Sequence, residues 1–408
     1  MSENHFEKLS QAAKMIARGL RMMGWAERTR WLISAVAVVG LTVLTGCGGF
    51  FVPVVPVPPG STGNFVYVAN TTGVPPSGAN SATGTVSGFA VGTGKLTGVS
   101  GSPLTVGYTP LAMTVTRDNK FLYVATLGNI NVYTINADGS LTGASGGTSV
   151  AIANVVSMDV SPDGQWLLAL DGTSLQAQID VFQINTSTGA LAVASNGTLA
   201  IPNAVIVPKM LKISPNGAYV FAALGSGGDA IFTFDTSTGT AIGVLNLTVS
   251  KTTSDNGLAV DSASANLYIA RSGTGGGVHV FGIGSGGTLN EIAASPFDSG
   301  GQAYSVVLDN TGKYAYAANR TNGTIYGYSI GAGAVLTALE GSPYTSGKLV
   351  TSLGMDSTGN YLLAAAFGGG PDLSMYSFDT TTPGKLILAT STTTGTDPTG
   401  AIAVALTH

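Results

Sequence analysis

Seven related apolar phrases recur at spacings of 45 to 56 residues, and they predict an all-β chain folded as a seven-bladed β-propeller. They read FVYVAN (65–70), FLYVAT (121–126), WLLALD (166–171), YVFAAL (219–224), NLYIAR (266–271), YAYAAN (314–319) and YLLAAA (361–366). A period near fifty made of short strands and turns corresponds to one four-stranded antiparallel blade per repeat. A second observation agrees with the count. Each phrase is followed by a glycine-bearing hairpin with an aromatic in its first arm, such as YTINADGSLTGAS (133–145) or YSFDTTTPGKLILAT (376–390). The third observation concerns closure: the chain ends in an apolar stretch, 400–406, that has no strand after it.

Within each repeat the elements follow in a fixed order. An apolar strand comes first, as in LAMTVT (111–116), VVSMDVS (155–161), MLKIS (210–214), LAVD (258–261), YSVVLD (304–309) and TSLGMD (351–356). A tight turn follows, such as Ser161-Pro162-Asp163-Gly164 or Arg117-Asp118-Asn119-Lys120. Proline presets φ there, while Gly, Asn and Asp tolerate positive φ. The FLYVAT-like strand is second, and its continuous apolar character fits burial on both faces between blades. The glycine hairpin then supplies a half-buried outer pair. The first repeat lacks an innermost strand, because a Pro-rich stretch stands before Phe65. Strand 400–406 is therefore expected to pair beside 65–70, closing the ring and hiding its free edges.

The segment before the repeats reads differently. Lys8, Lys14, Arg18, Arg21, Arg28 and Arg30 precede a charge-free apolar run from Trp31 to Val43. That run falls short of the roughly twenty residues a membrane-spanning helix needs. Basic region, apolar core and small residues describe a secretory leader over 1–46. Leu44-Thr45-Gly46-Cys47 resembles the bacterial lipobox, in which the cysteine is lipidated and becomes the mature N-terminus. Cys47 is the only cysteine, so no disulfide forms within one chain. Residues 47–63 are expected to be a lipidated cysteine and semi-extended tether, and 64–408 the propeller. This places the protein at the cell envelope, extracytoplasmic, with the membrane as a partner through Cys47.

The formal net charge is −4, and the basic leader makes the remainder more acidic still. Such a domain is no nucleic-acid binder. Only 9% of residues are charged, yet 44% are hydrophobic and fall in strand-length packets, which indicates a packed core. No His, Cys or acidic group has metal-ligand spacing, and neither a metal nor a cofactor is expected. A monomer is expected.

Phrases such as SPDGQWLLAL (161–170) and GSPLTVGYTP (101–110) resemble the lactonase-type seven-bladed propellers. That family includes propeller 6-phosphogluconolactonases, some muconate-lactonizing enzymes and YVTN surface-repeat proteins. The resemblance covers the whole of 64–408 and implies a lactone-processing face carrying His, Arg and Asp or Glu at the channel mouth. One family pattern is Pro-His at the start of an innermost strand, followed one strand later by Asp-Leu-Gly. This chain has Pro208-Lys209-Met210, then Ala223-Leu224-Gly225 and Asp229, and elsewhere Pro110-Leu111 followed by Thr126-Leu127-Gly128. The histidine is absent from both copies. Beyond the leader only His279 and His408 remain, one in an outer hairpin and one at the chain end.

Residues expected where innermost strands begin and second strands end are Asn70, Asp171, Lys209, Asp229, Asn256, Arg271, Tyr304, Asn319 and Arg320. Lys209, Arg271 and Arg320 form a candidate cationic mouth for a carboxylate or phosphate. Asp171 or Asp229 is a candidate base on water. Gly143-Ala144-Ser145-Gly146-Gly147 fits G-x-S-x-G, and Gly282, Gly284 and Gly287 fit G-x-G-x-x-G. With 58 glycines such matches arise by chance, and neither has the strand-turn-helix context its chemistry needs. Three function classes stay open, the first of them leading. The first is a binding or interaction module for a small anionic or sugar-like ligand, or a protein; the second is a lactone hydrolase. A purely structural surface protein is the third.

Overall fold

The computed structural model describes residues 63–71, 84–107, 109–144, 150–152, 154–173, 175–202, 204–398 and 404–408. The leader over 1–46, Cys47 and the tether up to residue 62 lie outside them, as do Ser145–Gly147 of the G-x-S-x-G stretch. Among the described residues no helix is long and apolar enough to cross a membrane.

The described residues form seven antiparallel sheets, each with a path of four strands. Blades II to VII begin with innermost strands Pro110–Val115, Val155–Val160, Met210–Ile213, Thr253–Val260, Ala303–Leu308 and Val350–Met355. Blade I takes its innermost strand from the other end of the chain. Val404–Leu406 pairs antiparallel with Phe65–Asn70 in the register Val66↔Leu406, Tyr67↔Ala405 and Val68↔Val404. A bridge between Asn70 and Pro398 continues that contact, and Thr407 Oγ1 accepts the Phe65 N–H at 2.9 Å. Residues 400–403 of the expected closing strand are outside the described set. Blade V starts earlier than LAVD implies: its innermost strand is Thr253–Val260, and Asp261 follows it as an acceptor for the Ala265 N–H. Gly284 precedes and Gly287 ends a three-residue 3-10 turn, Ser285–Gly287, inside an outer hairpin.

The second strands explain the repeated phrase. Phe65–Asn70, Phe121–Thr126 and Trp166–Asp171 are buried at every position because a sheet packs on each face. The first and third residues also reach the next blade. Tyr67, Tyr123 and Tyr316 donate their hydroxyls to the carbonyls of Gly139, Gly189 and Gly384 at 2.8, 2.9 and 2.7 Å. Each acceptor is the turn glycine of the following blade's outer hairpin. The aromatic two residues earlier lies on the same glycine. A Cβ at Gly139, Gly189 or Gly384 would come within 2.4, 2.8 or 2.5 Å of the rings of Phe65, Phe121 or Tyr314. Trp166 makes both contacts by itself, with its Nε1–H donated to Thr236 O at 2.7 Å and its ring on Gly239. At the seam between blades VII and I, Tyr361 Oη accepts the Gly94 N–H at 3.0 Å. Burial raises the phenols of Tyr67, Tyr123 and Tyr316 far above their ordinary value, so they remain donors.

The inner edge of the ring is tied from blade to blade as well. Ser157 Oγ and Asp159 Oδ2 accept the N–H groups of Leu211 and Ile213 at 2.9 and 3.1 Å, and Ser305 Oγ accepts that of Leu353 at 3.2 Å. Side chains thereby satisfy edge donors that no fifth strand covers.

Candidate functional site

The innermost strands enclose a central cavity of about 580 Å³, to which all seven blades contribute. Its mouth lies on the face where innermost strands begin and second strands end. Lys209, Asn256 and Tyr304 line it there.

Each of these groups is positioned by the strand that carries it. Lys209 extends the innermost strand of blade IV by donating its backbone N–H to Ala223 O at 2.9 Å. Arg320 follows the second strand of blade VI, and its backbone N–H is donated to Gln302 O at 3.2 Å. The Arg320 guanidinium carbon stands 4.8 Å from the centre of the Tyr304 ring, a cation–π stack. Its Nε is buried and has no hydrogen-bond partner. Burial and the nearby Arg320 charge lower the Lys209 ammonium below the ordinary lysine value. Asn256 is held rigidly, donating its Nδ2 to Ser254 O, Ser272 Oγ and Ala303 O at 2.9, 3.0 and 3.1 Å.

The other sequence-predicted residues go elsewhere. Arg271 pairs with the fully buried Asp255 through Nε and Nη2 at 2.5 and 2.8 Å. It belongs to the seam between blades IV and V and does not join the mouth with Lys209 and Arg320. Asp229 is fully buried at the same seam, its carboxyl facing that of Asp255. Burial, then the charge of Asp255, raises its carboxyl well above the usual range, so it is held as the neutral acid. His279 continues this network from the third strand of blade V. Its Nδ1 lies 2.6 Å from Glu291 Oε1 and its Nε2 3.1 Å from Gly275 O. Asp171 caps its own loop, accepting from Thr173 N and Oγ1 at 2.6 and 2.8 Å. Asn70 and Asn319 are fully buried and brace loops, through Ser87 and Thr394 in one case and Ser299 O in the other.

Residues 263–401 match the family described as lactonase, 7-bladed beta-propeller. The structure is similar to candidate 6-phosphogluconolactonases of Bacteroides uniformis (18% identity, TM-score 0.67, covering 84% of this chain and 99% of that one) and of Bacteroides fragilis (17%, 0.67, 85% and 99%). It is also similar to the periplasmic gluconolactonase of Pseudomonas aeruginosa (16%, 0.62, 84% and 99%). The fold is that of a seven-bladed β-propeller. No curated protein matches the sequence at a significant level. At these identities the structural likeness shows the fold alone.

At the position where the resemblance leads one to expect Pro-His, the chain carries Pro208-Lys209, with Lys209 lining the mouth. The opposite end of the cavity holds a group that the sequence reading passed over. Asp159 lies 3.1 Å from Lys212 Nζ and 3.6 Å from Arg117 Nη2. Burial opposes its charge, but Lys212 and Arg117 outweigh it and hold the carboxyl below the usual range. Arg117 also donates to Val160 O at 2.7 Å, so this group clasps three innermost strands together. The available signal was a lone lysine in MLKIS and a lone aspartate in VVSMDVS, the only charges in those strands.

Proposed function

We propose that this propeller binds a small anion, a carboxylate or phosphate, at the mouth formed by Lys209, Arg320, Tyr304 and Asn256. The observation that carries this reading is the convergence of two cations, neither of which enters an ion pair among the described residues. Holding like charges together without a counterion costs free energy, which an anion would recover. The Tyr304 stack fixes the guanidinium plane, and with Nε buried the two Nη groups would present the fork for an acceptor. Calorimetric titration with gluconate and with inorganic phosphate at low ionic strength tests this. Lys209→Ala and Arg320→Ala should each weaken binding about tenfold or more, the scale of a lost charged hydrogen bond. Absence of binding by either anion refutes it.

A second reading, lactone hydrolysis, is supported by the family match over residues 263–401. Ring opening of a sugar lactone yields a carboxylate, which the same two cations would hold. Opposing this, Asp229 and Asp255 are fully buried, the latter tied to Arg271, and neither lines the mouth. A pH-stat assay on gluconolactone decides between them. Turnover above the spontaneous rate, lost in Arg320→Ala, supports the hydrolase; its absence, with gluconate still bound, leaves the binding module.

We further propose that the chain is exported and anchored through a lipid on Cys47. The order of basic leader, apolar run and Leu44-Thr45-Gly46-Cys47 supports this. Cys47→Ala should release the protein from membranes, and retention would refute the anchor.

A further inference from the structure

The two faces of the propeller differ in where apolar side chains meet solvent. On the mouth face, Leu127, Leu175 and Val205 are 68%, 94% and 73% exposed, and Val207 and Leu349 are more than a third exposed. All five sit on loops that end a second strand or lead into an innermost one. Leu349 holds its side chain there with φ of 55°, a left-handed conformation that costs a leucine about 1 kcal/mol. The opposite face is built from turns such as Ser161–Gln165, Asp309–Lys313 and Asp356–Asn360. None of the exposed large apolar side chains among the described residues falls on them; the remaining ones lie on outermost strands and hairpins. Val205 and Val207 lie on the loop that leads directly into Lys209, so exposed apolar side chains adjoin a mouth cation along the chain, and apolar exposure beside a site marks a binding surface.

We propose that the natural ligand of the mouth is an amphiphilic anion: a carboxylate whose charged end meets Lys209 and Arg320 and whose aliphatic part packs on Val205 and Val207. This rests on the anion-binding reading of the mouth and adds the chemistry of the remainder of the ligand. A polyhydroxylated acid would set its hydroxyls against Val205 and Val207, which offer them no side-chain partner. A bilayer surface fits poorly, because Lys209 is half-buried and the Arg320 Nε is wholly buried, out of reach of a flat layer of headgroups. A small molecule can enter, since the mouth opens on a cavity of about 580 Å³, within the usual range for small-molecule sites.

The test is calorimetric titration of the intact protein with acetate, butyrate, octanoate and gluconate, beside anionic phosphatidylglycerol vesicles. Affinity should rise about twofold to fourfold per added methylene from acetate to octanoate. Val205→Ser/Val207→Ser should flatten that increment and leave acetate binding unchanged, whereas Lys209→Ala should weaken every carboxylate. If gluconate and acetate bind but octanoate binds no more tightly, the amphiphile is overturned while the anion mouth stands. If none of the four carboxylates binds, the mouth reading itself falls. Binding to vesicles without binding of octanoate would overturn the small-molecule ligand in favour of a membrane surface.

Discussion

Replacing Arg271 by methionine isolates the buried charge network from the mouth. The guanidinium makes two short hydrogen bonds to Asp255, at 2.5 and 2.8 Å, and the pair is 12% and 0% exposed. Methionine keeps much of the apolar stem but removes the only cation paired with Asp255 among the described residues, beside a second fully buried carboxyl, Asp229. Stripping one partner from a buried ion pair costs about 3–5 kcal/mol, a large share of the 5–15 kcal/mol that typically holds a fold. The orphaned carboxylate stays buried without a counter-ion. Urea denaturation of wild type and Arg271→Met at pH 8 measures this. Adding Asp255→Leu should restore most of the loss, because an apolar pair replaces a buried ion pair at little cost. Gluconate affinity should stay within about twofold of wild type, since Arg271 does not line the mouth. A loss under about 1 kcal/mol at pH 8, or a double variant no better than the single one, would refute the network as described.

Three further outcomes follow from the same structure. Tyr123→Phe leaves the buried Gly189 carbonyl without its donor and should cost about 1–2 kcal/mol in urea denaturation. Gly189→Ala should cost at least as much, because φ is 73° and the new Cβ would approach Phe121 and Val132 to 2.8 Å. Asp229→Asn should stabilise the protein increasingly as pH rises above the ordinary aspartate value. The folded chain keeps that proton longer than the unfolded one, so wild-type stability declines with pH over this window, and the neutral amide removes the decline; equal melting-temperature gains at pH 5 and pH 8 would contradict it. Because the Lys209 ammonium titrates below an ordinary lysine, wild-type gluconate affinity should fall on the alkaline side before that of Lys209→Arg, whose charge persists.

The architecture was legible because its determinants are local and repeated. FLYVAT states a buried strand, and its first and third residues also specify the packing of one blade on the next turn. Phe121 on Gly189 and Tyr123 to the Gly189 carbonyl show both, so one phrase carries secondary and tertiary information together. The glycine hairpins were visible for the same reason. Blade closure could be inferred from strand counting alone, and Val404–Leu406 beside Phe65–Asn70 satisfies it.

The site was only half legible, and a one-residue offset accounts for the rest. Near the mouth, the register between innermost and second strand shifts in blades II, III, V, VI and VII, as between Asp255 and Gly257 or Ala303 and Ser305. A bulge of one residue reverses which face the following side chains take. In blade V it sets Asp255 directly opposite Arg271, and Arg271, expected at the mouth from spacing alone, pairs into the seam. Blade IV pairs without such a shift, Met210 opposite Ala223, and Lys209 keeps the direction that its position implies. Arg320 lies one residue past its strand, where stacking on Tyr304 fixes its orientation. The repeat therefore specifies where a side chain sits along the blade, and the register of the facing strand decides what it meets: in blade V the bulge brings Asp255 opposite Arg271, which holds blades IV and V together, and it leaves Asn256 to line the opening with Lys209.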